Sequence, residues 1–217
     1  MTEIAIWSFI VNLLHCRGMS DPLRDAPKDR LIAAAAASFH RFGYRRTTVE
    51  DITKAAGIGK GTLYLHFQSK KEAYLAVVES RLEGFLRKAS AVLHGRGSVP
   101  QRLRALVELT ARHYGSDDIL RASLFGDGML VDERVARLAA RVQRQRIRQL
   151  LVEVLQAGQR DGTVRPKLDV GAAAAVLFEI GWAVVRAELE GESALSLPRA
   201  LDTLNQIVGL GLMTPRK

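Results

Sequence analysis

The sequence has 217 residues, 47% of them hydrophobic and 25% charged, which suffices for one domain with a sizeable core or for a small domain joined to a larger one. Lysine and arginine exceed aspartate and glutamate by nine, and the single cysteine, Cys16, excludes an intrachain disulfide and a cysteine-cluster metal site. This cysteine usage fits a reducing compartment, so we expect a cytoplasmic protein without a metal or another cofactor.

Residues 1–18 differ in character from the rest of the chain. The run from Ile4 to Leu14 is apolar apart from Ser8 and Asn12, but it lacks the basic leader and the small-residue cleavage site of a secretory signal. Its eleven residues are too few to cross a bilayer as a helix, which takes about twenty. We interpret residues 1–22 as an N-terminal extension, flexible or non-native. The alternative is an extra helix that docks on the core or on a partner.

Two helices are predicted ahead of residue 58. The first runs from Lys28 to Gly43, because apolar residues recur in steps of three and four and a glycine at its end suits a C-cap. Its stripe consists of Leu31 or Ile32, Ala35, Phe39 and Phe42. The second runs from near Thr48 to Gly57, because a threonine hydroxyl can accept from free backbone N–H groups and acidic residues favour a first turn. The Thr48 hydroxyl can also bond a DNA phosphate, and the two roles are compatible.

The stretch from residue 56 to residue 67 turns on a glycine and opens a third helix, which is the pattern of a helix-turn-helix. Leu63 and Phe67 lie four residues apart and are expected on the buried face, opposite Ile52 and Ala55 of the second helix. The residues left near solvent are of types that meet phosphates and base edges: Lys60, Thr62, Tyr64 and His66. A half-buried tyrosine is the alternative for Tyr64, but the inner face is already filled.

Gly59 and Gly61 lie at the mouth of this third helix. In a helix interior, glycine costs roughly 1 kcal/mol relative to alanine. Close approach of the backbone to DNA explains both residues, since a missing side chain lets the peptide touch a phosphate or a thymine methyl. Simple turn geometry is the alternative, and it suffices for Gly57.

Positive charge is concentrated around the helix-turn-helix. From Arg24 to Lys71 there are ten lysines or arginines against four aspartates or glutamates. A polyanion is therefore the natural partner, and an ordinary basic surface is the alternative. Ser69 and Glu72 have the spacing of a capping box, which starts a long fourth helix with Lys70 at its mouth, beside the expected path of the DNA backbone.

Four segments together, residues 39–44, 47–52, 55–67 and 69–73, resemble the N-terminal domain of the TetR family of transcriptional repressors. The resemblance spans about fifty residues, a quarter of the chain. It implies that the following residues contact double-stranded operator DNA: Thr48, Lys60, Gly61, Thr62, Tyr64, His66 and Lys70. It places Leu65 at a variable, specificity-setting position. Gly59 joins the candidate DNA contacts, although many family members carry serine there, and Thr53 stands where alanine is common.

Beyond residue 72 the pattern is helix after helix without strand alternation, so the predicted fold class is all-α, with about nine helices. With the resemblance, this predicts a helix-turn-helix DNA-binding domain at 23–72 and a helical ligand-binding and dimerisation domain at 73–213. Helix four ends near 95–97, Pro100 opens helix five, and a short helix ends at Phe125. A long helix then covers residues 132–160, and its arginines are expected to form a solvated face: Arg134, Arg137, Arg141, Arg144, Arg146 and Arg148.

The last two helices are predicted at about 170–188 and 198–212. Residues 170–185 carry one charge, Glu179, so this segment is expected to be buried on more than one side, and it is too short to span a membrane. The resemblance implies that both helices pair with their copies in a homodimer, which would read half-sites about 34 Å apart. Glu179 must be paired, protonated or facing water. Arg186 of the same or a partner chain is the expected partner, and a ligand cation is the alternative.

Helices four to seven are where the family holds a small-molecule inducer. Aromatic and methionine side chains in this region are candidates for lining an apolar cavity: Phe85, Tyr114, Phe125, Met129, Phe178 and Trp182. Side chains of these types at helical spacing more often form a core than a ligand site.

Two rival functions are weighed against a ligand-responsive repressor. An enzyme is disfavoured because the sequence lacks the zinc-protease, phosphate-loop and nucleophile-elbow motifs, and its five histidines are scattered without ligand spacing. A non-inducible architectural protein or activator is the second alternative. An architectural protein would not need about 140 residues of apolar helices behind the DNA-binding domain.

Overall fold

The computed structural model describes residues 22–125 and 133–213. The predicted N-terminal extension, apart from Pro22, and Met129 lie outside the described residues. Nine α-helices and no strand occur in the described ranges, which confirms the all-α prediction. The helices are α1 (Pro22–Arg46), α2 (Val49–Ala56), α3 (Lys60–His66), α4 (Lys70–Leu93), α5 (Val99–Ser116), α6 (Asp118–Phe125), α7 (Glu133–Arg160), α8 (Val170–Glu190) and α9 (Leu197–Leu212).

Helices α1 to α3 form a three-helix unit, called the head below. Apolar side chains from all three helices fill its core and are at most 3% exposed: Leu31, Ala35, Phe39, Ile52, Leu63 and Phe67. Helix α1 is longer than predicted. It begins at Pro22 and is kinked at Gly43, whose φ of 73° and ψ of 163° lie outside the helical region, before it ends at Arg46. Gly43 therefore interrupts the helix, as expected, but does not end it.

Two residues predicted for the core of the head face solvent instead. Phe42, in the last turn before the kink, is 36% exposed and lies under the guanidinium of Arg41. Ala55 is exposed, and Thr53 is buried on the inner face of α2. The Thr53 hydroxyl donates to the Glu50 carbonyl at 3.1 Å, so the buried polar group is satisfied within its own helix.

Helix α4 joins the head to the remaining helices, α5 to α9, which are called the body below. Its apolar residues Val78, Leu82, Phe85 and Ala89 are buried, whereas Leu75 is half-buried. Near the head, the buried ring of Tyr74 packs edge-on against Phe39 at 5.2 Å and against Tyr44 at 5.3 Å. These aromatic contacts anchor the start of α4 on α1.

The body packs around α5. The Tyr114 hydroxyl of α5 donates to Gln143 Oε1 of α7 at 2.8 Å, and both side chains are fully buried. The connector after α7 is pinned to the end of α9, because Arg165 bonds the carbonyls of Leu210 at 2.9 Å and Met213 at 3.1 Å. On the outside of α7 the predicted solvated face is confirmed for five of the six arginines, and Arg146 is half-buried.

Helix α8 runs to Glu190, five residues beyond the predicted apolar segment. The expectation that this segment is too short to span a membrane is therefore wrong: by length and composition alone the helix is long enough, a test that core helices of globular proteins also pass. Its buried residues, Ala174, Phe178, Gly181 and Val185, occupy one face rather than several. Glu179 lies on the solvent side, where the Arg144 guanidinium of α7 is its partner at 3.5 Å. The expected pairing with Arg186 is wrong within this chain, because Arg186 bonds Glu190 at 3.0 Å.

Candidate nucleic-acid interface and apolar cleft

Helix α3 presents the face that the sequence predicts. Leu63 is fully buried and Phe67 is 2% exposed, whereas Tyr64 is 54% and Leu65 is 83% exposed. Thr62 and His66 are half-buried at the edges of this surface. An apolar side chain as exposed as Leu65 contributes little to the fold, but it suits apolar contact with a thymine methyl in a major groove.

Local capping explains where α2 begins and ends. The Thr48 hydroxyl accepts from Asp51 N at 3.1 Å and donates to the Asp51 carboxylate at 2.7 Å. These bonds from Thr48 lower the pKa of the Asp51 carboxyl below its ordinary value. At the other end of α2, Gly57 has a φ of 67°, a left-handed conformation that favours glycine. The predicted bounds of this helix are confirmed.

Lys60, at the first position of α3, is exposed and forms an ion pair with Glu50 of α2. Its hydrogen bond lowers the pKa of the Glu50 carboxyl. Both side chains are more than half exposed, so water screens the pair and its contribution to stability is small. A phosphate can therefore compete for the Lys60 ammonium at little cost to the fold.

Lys70 is in a different environment from Lys60. Its ammonium donates to the carbonyls of Tyr44 at 2.7 Å, Arg45 at 3.2 Å and Thr47 at 2.8 Å, and lies 4.6 Å from the centre of the Tyr44 ring. Partial burial lowers the pKa of Lys70. An ammonium has three N–H donors, so the carbonyls at the end of α1 and in the turn after it occupy all of them. A phosphate contact at Lys70 would have to replace one of these bonds.

Neither glycine at the mouth of α3 is required by packing against the described residues. A Cβ atom added to Gly59 or Gly61 would meet nothing within 4 Å. Gly59 has a φ of −73°, which any residue adopts, so turn geometry does not require it. Turn geometry does account for Gly57, as expected. The open space beside Gly59 and Gly61 is where a duplex lying on α3 would approach the backbone.

An apolar cleft opens in the body among α5, α7, α8 and α9. It encloses about 650 Å³ of empty space, counting the solvent at its mouth. Of the candidate ligand residues, Phe178 and Trp182 line it. Phe85 and Tyr114 do not, because both are fully buried in the core, where Tyr114 packs edge-on behind Trp182 at 5.4 Å. The Phe125 side chain, like Met129, lies outside what the structure describes.

Helix α9 supplies cleft residues that the sequence reasoning missed: Leu201, Leu204, Asn205 and Val208. The apolar members have ordinary helical spacing, which is equally typical of a core stripe. The polar residue Asn205 among these apolar positions was the sequence signal that could have indicated a ligand site. No group of histidine, cysteine, aspartate or glutamate side chains suited to a metal ion occurs in residues 22–125 and 133–213.

Comparisons with known proteins agree with this geometry. The family model described as "Bacterial regulatory proteins, tetR family" matches residues 31–77. The transcriptional repressor KstR2 of Rhodococcus jostii is 34% identical over 166 residues, covering 73% of this chain and 78% of that protein.

Solved structures share the fold at lower identity. A Mesorhizobium loti protein assigned to the TetR family superposes with a TM-score of 0.69 at 22% identity, covering 90% of this chain and all of the other. The regulator FadR of Bacillus subtilis, solved in complex with stearoyl-CoA, superposes with a TM-score of 0.64 at 18% identity, covering 85% of this chain and 98% of that one. These likenesses concern the fold alone.

Because the space at Gly61 is open, we predict that adding a methyl group there has opposite effects on protein stability and on DNA affinity. We expect Gly61→Ala to stabilise the free protein by roughly 0.4–1 kcal/mol, because alanine restricts the unfolded chain. The same methyl group should weaken DNA binding by keeping the backbone away from the duplex. Urea unfolding and fluorescence anisotropy measure the two effects. Gly84→Ala is the matched control, since Gly84 also lies in a helix without close contacts. Unchanged DNA affinity in Gly61→Ala would contradict this role for Gly61.

The salt dependence of DNA binding distinguishes the role of Lys60 from that of Lys70. Lys60→Met should lower the slope of log K against log salt by about 0.9, the loss of one phosphate contact. Lys70→Met should weaken binding by a similar factor at every salt concentration and lower the melting temperature, because it releases the turn between α1 and α2. Lys88→Met, an exposed position on α4, controls for net charge. A slope lowered by Lys70→Met as by Lys60→Met would assign Lys70 to the phosphates.

Proposed function

This chain belongs to the TetR family of bacterial regulatory proteins, and on that premise we propose that it represses transcription as a homodimer on a palindromic operator and leaves the DNA when a small molecule binds its body. The observation that carries the proposal is the outer face of α3, where Tyr64 and Leu65 are exposed beside Lys60 and two unhindered glycines. That face combines groups for phosphates with groups for base edges. A protein that acts on chromosomal DNA in a bacterium works in the cytoplasm.

Exposed apolar residues on α8 and α9 support the dimer. Val176 and Ile180 on α8 are 56% and 39% exposed, and Ile207 and Leu210 on α9 are 62% and 80% exposed. A twofold interface buries the same patch on both copies. It also sets two α3 helices at a fixed separation, and two heads read a site long enough for useful specificity.

Release by a small molecule is proposed as a shift between two arrangements of the dimer. Helix α4 packs against α1 in the head and against α5 and α7 in the body. An occupant of the cleft that displaces α5 or α7 would therefore move α4 and change the separation of the heads. The repressor role rests on the likeness to KstR2, and the ligand role on the cleft.

The operator is the first test of the proposed function. The purified protein should bind the intergenic DNA beside its own gene more tightly than a scrambled duplex of the same length, and candidate ligands should reduce that binding. We expect Tyr64→Phe to weaken operator binding about tenfold, because an exposed hydroxyl that bonds a phosphate is lost. Anisotropy titrations at fixed salt measure both effects. Equal affinity for the two duplexes would refute the autoregulating repressor, and activation in a promoter reporter would replace repression.

A charge introduced into the proposed interface tests the dimer. Leu210→Glu places a carboxylate from each copy in an apolar interface, which should weaken association by about 3 kcal/mol, or roughly a hundredfold. Sedimentation should then show single chains where the unmodified protein shows dimers, and operator binding should fall with it. Gln145→Glu, an exposed change on α7, is the control. A Leu210→Glu protein that stays dimeric would move the interface elsewhere.

A further inference from the structure

The chemistry of the cleft wall indicates what kind of molecule it holds. Most of its lining is aliphatic or aromatic, and the groups with polar side-chain atoms other than the Trp182 indole are Arg104, Thr110 and Asn205. A site of this kind takes most of its binding free energy from apolar contact and its selectivity from the few polar groups. The state of each polar group therefore decides the ligand class.

Arg104 is not available to an anionic ligand. Its guanidinium, at the mouth of the cleft, bonds Glu108 at 3.1 Å and also bonds Asp202 of α9. Two carboxylates already face this single positive charge, and no other cationic side chain lines the cleft within the described residues. An acid or a phosphorylated ligand would enter an apolar site without a free counter-charge, which strongly disfavours binding.

Thr110 and Asn205 differ in what they still offer. The Thr110 hydroxyl donates its proton to the Leu106 carbonyl at 2.7 Å, within its own helix. Asn205 Oδ1 is buried and accepts no hydrogen bond from any group in the described part of the chain. Buried polar atoms are nearly always hydrogen-bonded in proteins, so this acceptor points to a missing donor.

Two aromatic side chains line the cleft. The rings of Phe178 and Trp182 are parallel within 8°, with their centres 6.4 Å apart, one turn apart on α8. Aromatic side chains pack favourably against another ring, either with offset faces or edge to face. Asn205 projects from α9, another wall of the same cleft.

We propose that the cleft binds an uncharged, hydrophobic, ring-containing alcohol, and that the side-chain amide of Asn205 forms a hydrogen bond with its hydroxyl group. A hydroxyl suits an amide because it can both donate to Oδ1 and accept from the amide N–H groups. Asn205 is thus the residue that sets selectivity for the hydroxyl. This inference rests on the proposed function, in which the same cleft holds the small molecule that releases the DNA.

Three probes with one ring system test the proposal: naphthalene, 2-naphthol and 2-naphthoate. Decanoyl-CoA is the fourth, because a structural neighbour was solved with an acyl-CoA. Calorimetry and thermal shift should show 2-naphthol binding about threefold to tenfold more tightly than naphthalene, the effect of one net hydrogen bond. Naphthoate and decanoyl-CoA should bind more weakly than naphthol. Binding of naphthoate or decanoyl-CoA that is tighter than that of naphthol, or no binding of naphthol, would overturn the proposal. This test uses the unmodified protein.

Asn205→Leu then tests the named residue. It should remove the advantage of naphthol over naphthalene while naphthalene itself still binds. Gln156→Leu, the loss of an exposed amide on α7, is the matched control and should change nothing. An advantage that persists in a folded Asn205→Leu protein would overturn the role of Asn205. Operator binding without any probe is measured separately, so loss of operator preference refutes the proposed function and loss of naphthol selectivity refutes only this inference.

Discussion

The ammonium group of Lys70 makes a central contact between the head and the rest of the molecule. Lys70, the first residue of α4, donates to three backbone carbonyls at the end of α1 and in the turn after it. Beside it the ring of Tyr74 packs against Tyr44 and Phe39. Because polar bonds and aromatic contacts coincide at one end of α4, a displacement of that end is a displacement of the head. Under the proposed function, a shift inside the body would thereby change where α3 points.

The start of α6 provides a second connection between body and head. Asp117 caps α6 by accepting from Leu120 N at 3.1 Å, and the same carboxylate bonds Arg81 of α4 at 2.5 Å. One residue further on, the Asp118 carboxylate lies 3.7 Å from the His40 ring of α1. Head, α4 and body thus meet at one short helix terminus. A movement of α6 alone would therefore displace both α4 and the head. The contacts at the start of α6 and those at Lys70 would then act together.

What the sequence predicted well is what depends on neighbours along the chain. The caps at Thr48, Gly57 and Ser69 and the inward face of α3 follow from local bonds and helical spacing. The partners of Lys70 lie 23 to 26 residues away, so no pattern could assign them. Helical spacing also could not distinguish Tyr114, a core residue, from Trp182, a cleft residue, because both lie at helical spacing from other apolar residues. That difference depends on how the helices cross, which no single-helix period contains.

Helices α8 and α9 each have an inner face on the cleft and an outer face on the proposed dimer interface. Ligand binding and dimer geometry are connected through these two helices in the proposed mechanism. Phe178 and Val208 on the inner faces line the cleft, whereas Ile180 and Leu210 on the outer faces are the proposed contact with a second copy. A helix in a packed bundle moves as a rigid rod, because its neighbours are close-packed. Any occupant that pushes α9 from α5 must therefore also shift the outer face. In the proposed dimer, ligand binding in the cleft would therefore change the angle between the two copies, and with it the separation of the heads.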